Sequence, residues 1–464
     1  MKPYYKVYIS VVALLTVSGL TGCAASTPSL VPTATAPITN TPISITNTLV
    51  PSLIPVFPSS TPMPTVLPYP TANRINTNAI AYVAVDLKND SPSSLWVVNV
   101  DGSGEKELVD NLDIEPRGNN AILRWSPDGK WISYLSKDEL WLVSPDGLSR
   151  RKILSLSEEN SLIYAYKWSS DSSRIAYLKA SKESYSAPTV VGIIDVDSGN
   201  VINSFNFTFG ITNLFDWLPN EQSLLLGGTS SLVLVDAKTG KIIKEFQRDC
   251  SNSYSDRAIM PPSGQWFALL SHGTGKAGLY FCIKGVDGTS RNTGTGSVSL
   301  PVWDSTGSVL YFSAINFIGQ SDSNNYNGHL FRYDIKTQQL THLLEMEKTK
   351  YQFIWSVALS PDGRTLATYS ATSEHQVMFI FMNLDSLSTV KYTIDLPLPA
   401  VHYPDNEIAW SSDSTSIVFV SPPPSIFDLR GAFYRLDIHT GKTTVISTER
   451  WIRDWAVSPV FTGH

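Results

Sequence analysis

Arg124–Ser136, RWSPDGKWISYLS, is the stretch that decides the fold of this chain. It reads as the end of one β-strand, a tight turn and a returning strand. Ser-Pro-Asp-Gly at 126–129 puts proline where φ must lie near −65° and glycine where φ is free to be positive. The returning strand is apolar at alternate residues, Ile132 and Tyr134, as a strand against a core requires. The stretch therefore predicts a short hairpin.

The same thirteen-residue frame recurs along the chain. The copies are RWSPDGKWISYLS (124–136), KWSSDSSRIAYLK (167–179), DWLPNEQSLLLGG (216–228), IMPPSGQWFALLS (259–271), VWDSTGSVLYFSA (302–314), ALSPDGRTLATYS (358–370) and AWSSDSTSIVFVS (409–421). Their starts lie 43, 49, 43, 43, 56 and 51 residues apart. A period in the forties with four short strands per unit is typical of β-propeller blades.

The second position of the frame holds one large apolar side chain, which suits a wedge between neighbouring sheets. The residues at this position are Trp125, Trp168, Trp217, Met260, Trp303, Leu359 and Trp410. The returning strands are apolar or small on both faces, so we expect both faces to be covered. A second hairpin follows each frame, as in LVLVDAKTGKIIKEF at 232–246, and supplies the other two strands.

The two ends of the repeat region complement each other. NAIAYVAV at 78–85 and SLWVVNVDGSGEKELV at 94–109 provide three strands of a unit, and WAVSP at 455–459 provides a first strand. We expect the last strand to join the first three and close the ring, which removes exposed sheet edges. The prediction is an all-β chain with a single β-propeller over 74–464, with eight four-stranded blades. Seven blades is the alternative, if the unit at 259 or 358 is not a blade.

The N-terminal sequence predicts that the protein is exported and attached to a membrane. Lys2 and Lys6 precede an apolar run from Val7 to Leu20 that is short for a transmembrane helix. Leu20-Thr21-Gly22-Cys23 resembles the lipobox of bacterial lipoproteins, which implies a signal peptide at 1–22 and lipidation of Cys23. The alternative is an ordinary secretory signal. Residues 24–72 contain 11 of the 29 prolines and no charged residue, so we expect 23–73 to form the lipidated cysteine and a disordered tether.

Charge and cysteines narrow the possible partners and the compartment. The net charge of −6 argues against nucleic acid as the main partner. Apart from Cys23, the chain contains Cys250 and Cys282, which either pair in a disulfide outside the cytoplasm or remain separate buried thiols. We expect the protein to be attached to the cell membrane by its lipid anchor, with the folded part facing the periplasm or the cell exterior.

The repeated WSPDG-type frame, followed by strands such as LWVVNVDGSG at 95–104, resembles the WD40-like (PD40) propeller repeat of TolB-type proteins. Dipeptidyl-peptidase IV-like enzymes build their propeller domain from the same repeat. The resemblance covers about 74–464 and implies the fold, but it specifies function poorly. The additional N-terminal domain of TolB is replaced here by the lipobox and tether, and the sequence contains no G-x-S-x-G nucleophile motif of the peptidase relatives.

Candidate functional residues lie on the predicted first strands and on one loop rim. The charged and aromatic candidates for binding in the central funnel or on the rim are Arg124, Lys167, Asp216, Arg257, Glu407, Asp454, Tyr403 and Trp451. The charged residues either bind a polar ligand or form ion pairs within a solvated channel. No H-E-x-x-H, P-loop or Cys-x-x-Cys motif is present, and the histidines are scattered over several blades, so no metal and no cofactor are expected.

These observations favour a non-catalytic binding or scaffold module for an envelope protein, a peptide or a glycan. The membrane contact is the lipid anchor, and a monomer is expected. The alternative is a hydrolase or lyase of the propeller kind with its site in the funnel. A cluster of carboxylates or histidines at the axis favours the enzyme, and mutually distant polar residues favour the binding module.

Overall fold

The computed structural model describes 65–66 and most of 78–459. The gaps are 87–90, 115–121, 183–188, 229–231, 247–254, 262, 273–278, 292, 294–295, 298, 316–327, 347–353, 372–375, 398–407, 421–429 and 448–449. The chain divides into two units, Met1–Val56 and Phe57–His464. The first unit, with the predicted signal peptide and Cys23, lies outside the described residues, as does most of the predicted tether.

Antiparallel sheets of short strands repeat along the described chain, with one extra edge strand, β1 (Thr65–Val66), ahead of them. The closing blade begins with β2 (Ala79–Asp86), β3 (Ser91–Asn99) and β4 (Lys106–Leu112). Blade 1 holds β5 (Leu123–Trp125), β6 (Ile132–Ser136), β7 (Glu139–Val143) and β8 (Arg150–Ser155). After a 3-10 turn at Ser157–Glu159, blade 2 holds β9 (Ser161–Trp168), β10 (Arg174–Ser181), β11 (Val190–Asp195) and β12 (Val201–Asn206).

The remaining blades follow the same plan. Blade 3 holds β13 (Ile211–Trp217), β14 (Ser223–Gly228), β15 (Leu232–Asp236) and β16 (Ile242–Phe246). Blade 4 holds β17 (Ser255–Ile259), β18 (Trp266–His272), β19 (Leu279–Gly285), β20 (Ser290–Arg291) and β21 (Gly296–Ser297). Blade 5 holds β22 (Val302–Trp303), β23 (Val309–Ile315), β24 (Gly328–Asp334) and β25 (Leu340–Glu345).

Blade 6 holds β26 (Ile354–Leu359), β27 (Thr365–Ala371), β28 (Gln376–Asn383) and β29 (Thr389–Pro397). Blade 7 holds β30 (Ile408–Trp410), β31 (Ser416–Val420), β33 (Phe433–Asp437) and β34 (Thr443–Val445). The closing blade is completed by β32 (Arg430–Gly431) and β35 (Arg450–Val457). Across the described ranges the strands form eight sheets. The prediction of eight blades is confirmed, and both weak units, at 259 and at 358, form blades. β1 lies within the predicted tether and pairs in parallel with β34 of blade 7.

The last strand closes the ring as the sequence predicts. β35 pairs antiparallel with β2, with Ala456 opposite Ala81 and Val457 opposite Ile80. The closing blade packs on blade 7 through the rings of Tyr82 and Phe433, whose centroids lie 5.2 Å apart. On its other side β35 contacts β5 of blade 1. Because one sheet contains strands from both ends of the repeat region, opening the ring requires separating β2 from β35.

The frame tryptophans join each blade to the one before it. The indole Nε1–H of Trp125 donates to the carbonyl of Ala456 at 3.0 Å, across the closure. The same bond runs from Trp217 to Lys167, from Trp303 to Ile259 and from Trp410 to Ala358, while Trp168 donates to Ser133 Oγ at 2.8 Å. A buried indole needs such an acceptor, and here the acceptor fixes the neighbouring sheet. Met260 and Leu359 fill the position without a donor.

In blades 1, 2, 6 and 7 the turn inside the frame is held by its own side chains. In blade 1, Ser126 Oγ donates to Asp128 Oδ1 at 2.7 Å and accepts the N–H of Trp131 at 2.9 Å. Asp128 Oδ1 also accepts the N–H of Lys130 at 3.1 Å. The same Ser–Asp contact recurs at Ser169–Asp171, Ser360–Asp362 and Ser411–Asp413. The serine and aspartate of the frame are therefore determinants of the turn.

Acid should destabilise the propeller through these turn carboxylates. Burial alone would raise the pKa of Asp128, but hydrogen bonds from Ser126 and Lys130 outweigh it and hold that pKa below its ordinary value. The same balance lowers the pKa of Asp171, Asp362 and Asp413. A lowered folded-state pKa contributes stability that is present above the unfolded pKa, about 3.9, and is lost as pH falls through the folded value.

We therefore expect the melting temperature to fall steeply below about pH 4, by on the order of 10 °C before pH 2.5. Scanning calorimetry from pH 6 to pH 2.5 measures this drop. Asp362→Asn should give a shallower dependence on pH than the wild type, because one linked carboxylate is removed. A melting temperature that stays constant down to pH 3 would refute the linkage.

Neighbouring frame turns are also tied to each other. The sixth frame position adopts a positive φ, and it is glycine in blades 1, 4, 5 and 6 but Ser172 (φ 61°), Glu221 (φ 56°) and Ser414 (φ 59°) in blades 2, 3 and 7. Each of these side chains accepts a backbone N–H from the turn of the preceding blade: Ser172 from Asp128, Glu221 from Ser170 and Ser414 from Asp362. The hydrogen bond to the neighbouring turn offsets the strain of a non-glycine residue in this conformation.

Ser172→Ala should cost about 1–2 kcal/mol of unfolding free energy, because the strained backbone remains and the bond to Asp128 N–H is lost. Ser172→Gly should cost less than Ser172→Ala, since glycine relieves the strain. Denaturant midpoints of the two variants make the comparison. Equal losses in the two variants would show that the backbone conformation at Ser172 carries no strain.

Candidate functional site

The first strands of neighbouring blades lie beside each other at the axis. β9 contacts β13, β13 contacts β17, β26 contacts β30 and β35 contacts β5. The predicted site residues on these strands are Arg124 on β5, Lys167 on β9, Asp216 on β13, Arg257 on β17, and Trp451 and Asp454 on β35. The side chains of Arg257 and Trp451 are not among the described ones, and Tyr403 and Glu407 lie outside the described residues.

Lys167 and Asp216 form an ion pair between blades 2 and 3. The Lys167 Nζ–Asp216 Oδ2 distance is 3.5 Å, and the side chains are 26% and 40% exposed. Because water screens a pair with this exposure, its contribution is about 0–1 kcal/mol. Asp216 Oδ1 also accepts the N–H of Trp217 at 3.0 Å. Both side chains therefore keep part of their surface in contact with solvent.

Asp454 is the most heavily engaged of the predicted residues. Its Oδ2 accepts the N–H of Ile122 at 2.6 Å and of Leu123 at 3.1 Å, both from the chain that enters blade 1. Its Oδ1 accepts the N–H of Trp455 at 2.9 Å. Burial raises the pKa of Asp454 above its ordinary value, against the lowering effect of these donors and of Arg124. Asp454 thus connects the last strand to blade 1.

Arg124 faces the same junction. Its guanidinium carbon lies 5.8 Å from the centre of the Tyr166 ring in blade 2. The Tyr166 hydroxyl donates to the carbonyl of Ser133 at 3.1 Å, and burial raises its pKa. The charges of Arg124 and Asp454 both act on Tyr166, with opposite sign. The structure therefore groups Arg124 with Asp454, and Lys167 with Asp216, at two different blade junctions.

Two contacts on other parts of the ring were not predicted from the sequence. The buried carboxylate of Asp138 pairs with Lys182, which occupies the corresponding loop of the next blade. His329 Nδ1 lies 3.1 Å from His342 Nε2 on blade 5. The spacing of Asp138 and Lys182, 44 residues, is about one repeat, and this periodicity is the signal that would find the pair. The histidine pair gives no comparable periodic signal.

Cys282 lies on β19, is 2% exposed and is disulfide-bonded. Cys250 lies outside the described residues, so its pairing with Cys282 stays a prediction. Over the described ranges, no group of three or more His, Cys, Asp or Glu side chains is placed to hold a metal. No described helix is long and apolar enough to cross a membrane.

Comparisons with known proteins agree with the propeller fold. No protein-family model matches the chain. Dipeptidyl-peptidase 5 of Porphyromonas endodontalis is 32% identical over 204 residues, which covers 42% of this chain and 27% of the peptidase. The chain thus matches about a quarter of the length of that relative.

Solved structures align with this chain at low sequence identity. Dihydro-heme d1 dehydrogenase NirN in complex with DHE aligns with a TM-score of 0.53 and 12% identity, over 87% of this chain and 80% of that one. A prolyl endopeptidase structure aligns with a TM-score of 0.48 and 12% identity, over 70% of this chain and 48% of that one. At 12% identity, the likeness to NirN concerns the fold alone.

Proposed function

We propose that this protein is a lipid-anchored, extracytoplasmic β-propeller that binds extended peptide or protein segments without cleaving them. The membrane part of the proposal rests on the lipobox-like Leu20–Cys23 and the uncharged, proline-rich 24–72 that follows. The rigid part is the closed ring of eight sheets, which holds loops of different length and composition on a fixed scaffold.

The observation that carries the non-catalytic proposal is the engagement of the axial charges. Asp454 accepts three backbone N–H groups, and Asp216 meets Lys167 and its own backbone. A general acid or base needs a lone pair or proton directed at a substrate. The hydrogen bonds of Asp454 and the ion pair of Asp216 instead lead to neighbouring blades, so we assign both carboxylates to joining the blades. Binding is then assigned to the loop rim.

A peptide is favoured over a glycan by the similarity to dipeptidyl-peptidase 5, a protein whose name describes action on peptides. Sheet edges and loop rims recognise an extended peptide through main-chain hydrogen bonds, with side-chain pockets for specificity. The same similarity favours a second candidate, a peptidase of the propeller hydrolase kind. The two candidates agree on the ligand and differ in whether the peptide leaves intact.

Peptide and glycan arrays probed with the purified full chain in detergent test the ligand class. We expect saturable binding to peptides, and the heat-unfolded chain is the control. Incubation with a peptide mixture, followed by mass spectrometry, tests cleavage, and the masses should not change. Release of dipeptides would overturn the binding proposal in favour of the peptidase, and binding to glycans alone would overturn the ligand class.

Membrane anchoring is tested separately. Cys23→Ser should abolish incorporation of a labelled fatty acid into the protein in a bacterial host, because the proposal places the acyl chains on this residue. Cys250→Ser, a change of a cysteine in the head, should leave the labelling unchanged. A Cys23→Ser protein that still takes up the label would contradict the lipid anchor.

A further inference from the structure

Two histidines meet on the outer half of blade 5. His329 is the second residue of β24, and His342 lies on β25, the outermost strand of that sheet. The centroids of the two imidazole rings are 5.1 Å apart, and both rings contact Phe331. His329 is half-buried and His342 is exposed. The pair is therefore held by packing while one side remains open to solvent.

The strand register explains how the imidazoles meet. His329 lies opposite Glu345, the register then shifts by one residue after Leu330, and Phe331 lies opposite His342. A bulge of this kind re-aims a side chain on the strand that carries the extra residue. Without the shift, Leu343 would lie opposite Phe331. The bulge thus brings His342 to the face that carries His329.

Blade 1 has the same local geometry with different side chains. Glu139 lies opposite Ser155, the register shifts after Leu140, and Trp141 lies opposite Lys152. At the positions of His329 and His342, blade 1 carries Glu139 and Lys152, whose Oε1 and Nζ lie 2.8 Å apart. In both blades, the register shift between the third and fourth strands therefore brings the tips of two side chains into direct contact. In blade 5 those tips are two nitrogen ligands instead of an ion pair.

The separation of the two nitrogens suits a metal chelate. His329 Nδ1 and His342 Nε2 are 3.1 Å apart. With metal–nitrogen bonds of about 2.0–2.1 Å, two nitrogens at this separation subtend an angle of about 100° at the metal. That angle lies between the tetrahedral value and the right angle of square-planar or octahedral sites. Glu345, opposite His329, adds a negative charge that favours a cation.

We propose that His329 and His342 form a two-imidazole site for a divalent transition metal of the Cu²⁺, Ni²⁺ and Zn²⁺ group. Imidazole suits these metals, and Cu²⁺ binds most tightly among them. Since the described residues contain no group of three or more protein ligands, water completes the coordination. Metal ligation requires the imidazole nitrogens that face the metal to be unprotonated.

Copper titration of the purified full chain, followed by electron paramagnetic resonance, tests the site. We expect tight binding of one Cu²⁺ with a two-nitrogen signature. His329→Gln and His342→Gln should each raise the Kd at least about tenfold, because even outer-shell changes cost 10–100-fold in metal affinity. The matched control is His439→Gln, which removes an exposed histidine from a turn of blade 7.

A double variant keeps the test independent of folding. His329→Glu with His342→Lys installs the Glu–Lys pair that blade 1 carries at these positions. It should keep the wild-type melting temperature and lose the tight Cu²⁺ signal. If the wild type binds no Cu²⁺ tightly, or if the histidine variants bind it as the wild type does, the two imidazoles are only a hydrogen-bonded pair and the proposal is wrong.

Discussion

Trp410→Ala should lower the free energy of unfolding by about 3–5 kcal/mol, the range for buried aromatic side chains. Trp410 is 4% exposed and packs edge-on against Phe381 of blade 6, with 5.9 Å between ring centroids. Its Nε1–H donates to the carbonyl of Ala358 at 3.2 Å. The substitution leaves a cavity between two sheets and a carbonyl without its donor. Guanidinium unfolding, followed by near-ultraviolet circular dichroism, measures the loss.

Two controls separate the packing of Trp410 from its hydrogen bond. Trp410→Phe keeps most of the ring and removes the donor, so it should cost about 1–3 kcal/mol. Leu148→Ala alters a side chain that is 86% exposed in a blade 1 turn and should change stability by less than about 0.5 kcal/mol. A loss for Trp410→Ala no greater than that of Leu148→Ala would mean that the frame tryptophan does not join the blades.

Asp454→Ala should destabilise the ring by about 2–6 kcal/mol, since the N–H groups of Ile122 and Leu123 each lose an acceptor, at a cost of about 1–3 kcal/mol each. The lost hydrogen bonds lie at the junction between the last strand and blade 1. We therefore expect the variant to accelerate backbone hydrogen exchange, relative to the wild type, more in β35 and β2 than in blades 3 to 6. Exchange measured by mass spectrometry at peptide resolution reports this difference.

Asp216→Ala is the matched control for Asp454→Ala. Asp216 occupies the same frame position and also accepts the N–H of the following tryptophan. It differs in meeting the preceding blade, through an exposed ion pair with Lys167 that contributes about 0–1 kcal/mol. The Asp454 variant should therefore lose clearly more stability. Equal losses would show that the backbone bonds of Asp454 to blade 1 contribute little.

Most of the fold was predictable because the repeat is local. In the frames at 124–136 and 358–370, a proline, a serine–aspartate pair and a glycine set the turn. A large apolar residue precedes the turn in every frame, so one frame specifies two strands. Met260 and Leu359 replace the tryptophan at the second frame position, but the spacing of the frames is kept, and both units form blades. The closing blade was predictable because 78–109 and 455–459 are incomplete without each other.

The candidate site was less predictable because partners there depend on neighbouring blades. The sequence placed Arg124, Lys167, Asp216 and Asp454 on first strands, and the strand assignment is confirmed. It left open whether they bind a ligand or each other, and geometry pairs Lys167 with Asp216. The contact of His329 with His342 required a register shift within one hairpin, which a period-two pattern does not reveal.

Closure of the ring by the last strand is tested most directly by a crosslink between β2 and β35. Ala81 and Ala456 are paired residues in the register of these strands, so cysteines introduced at both positions lie within disulfide range. We predict that oxidation of the Ala81→Cys, Ala456→Cys variant yields one crosslinked peptide by mass spectrometry. Ala81→Cys combined with Ala268→Cys, in blade 4, should yield none. Crosslinking in the second variant but not in the first would contradict the closed ring.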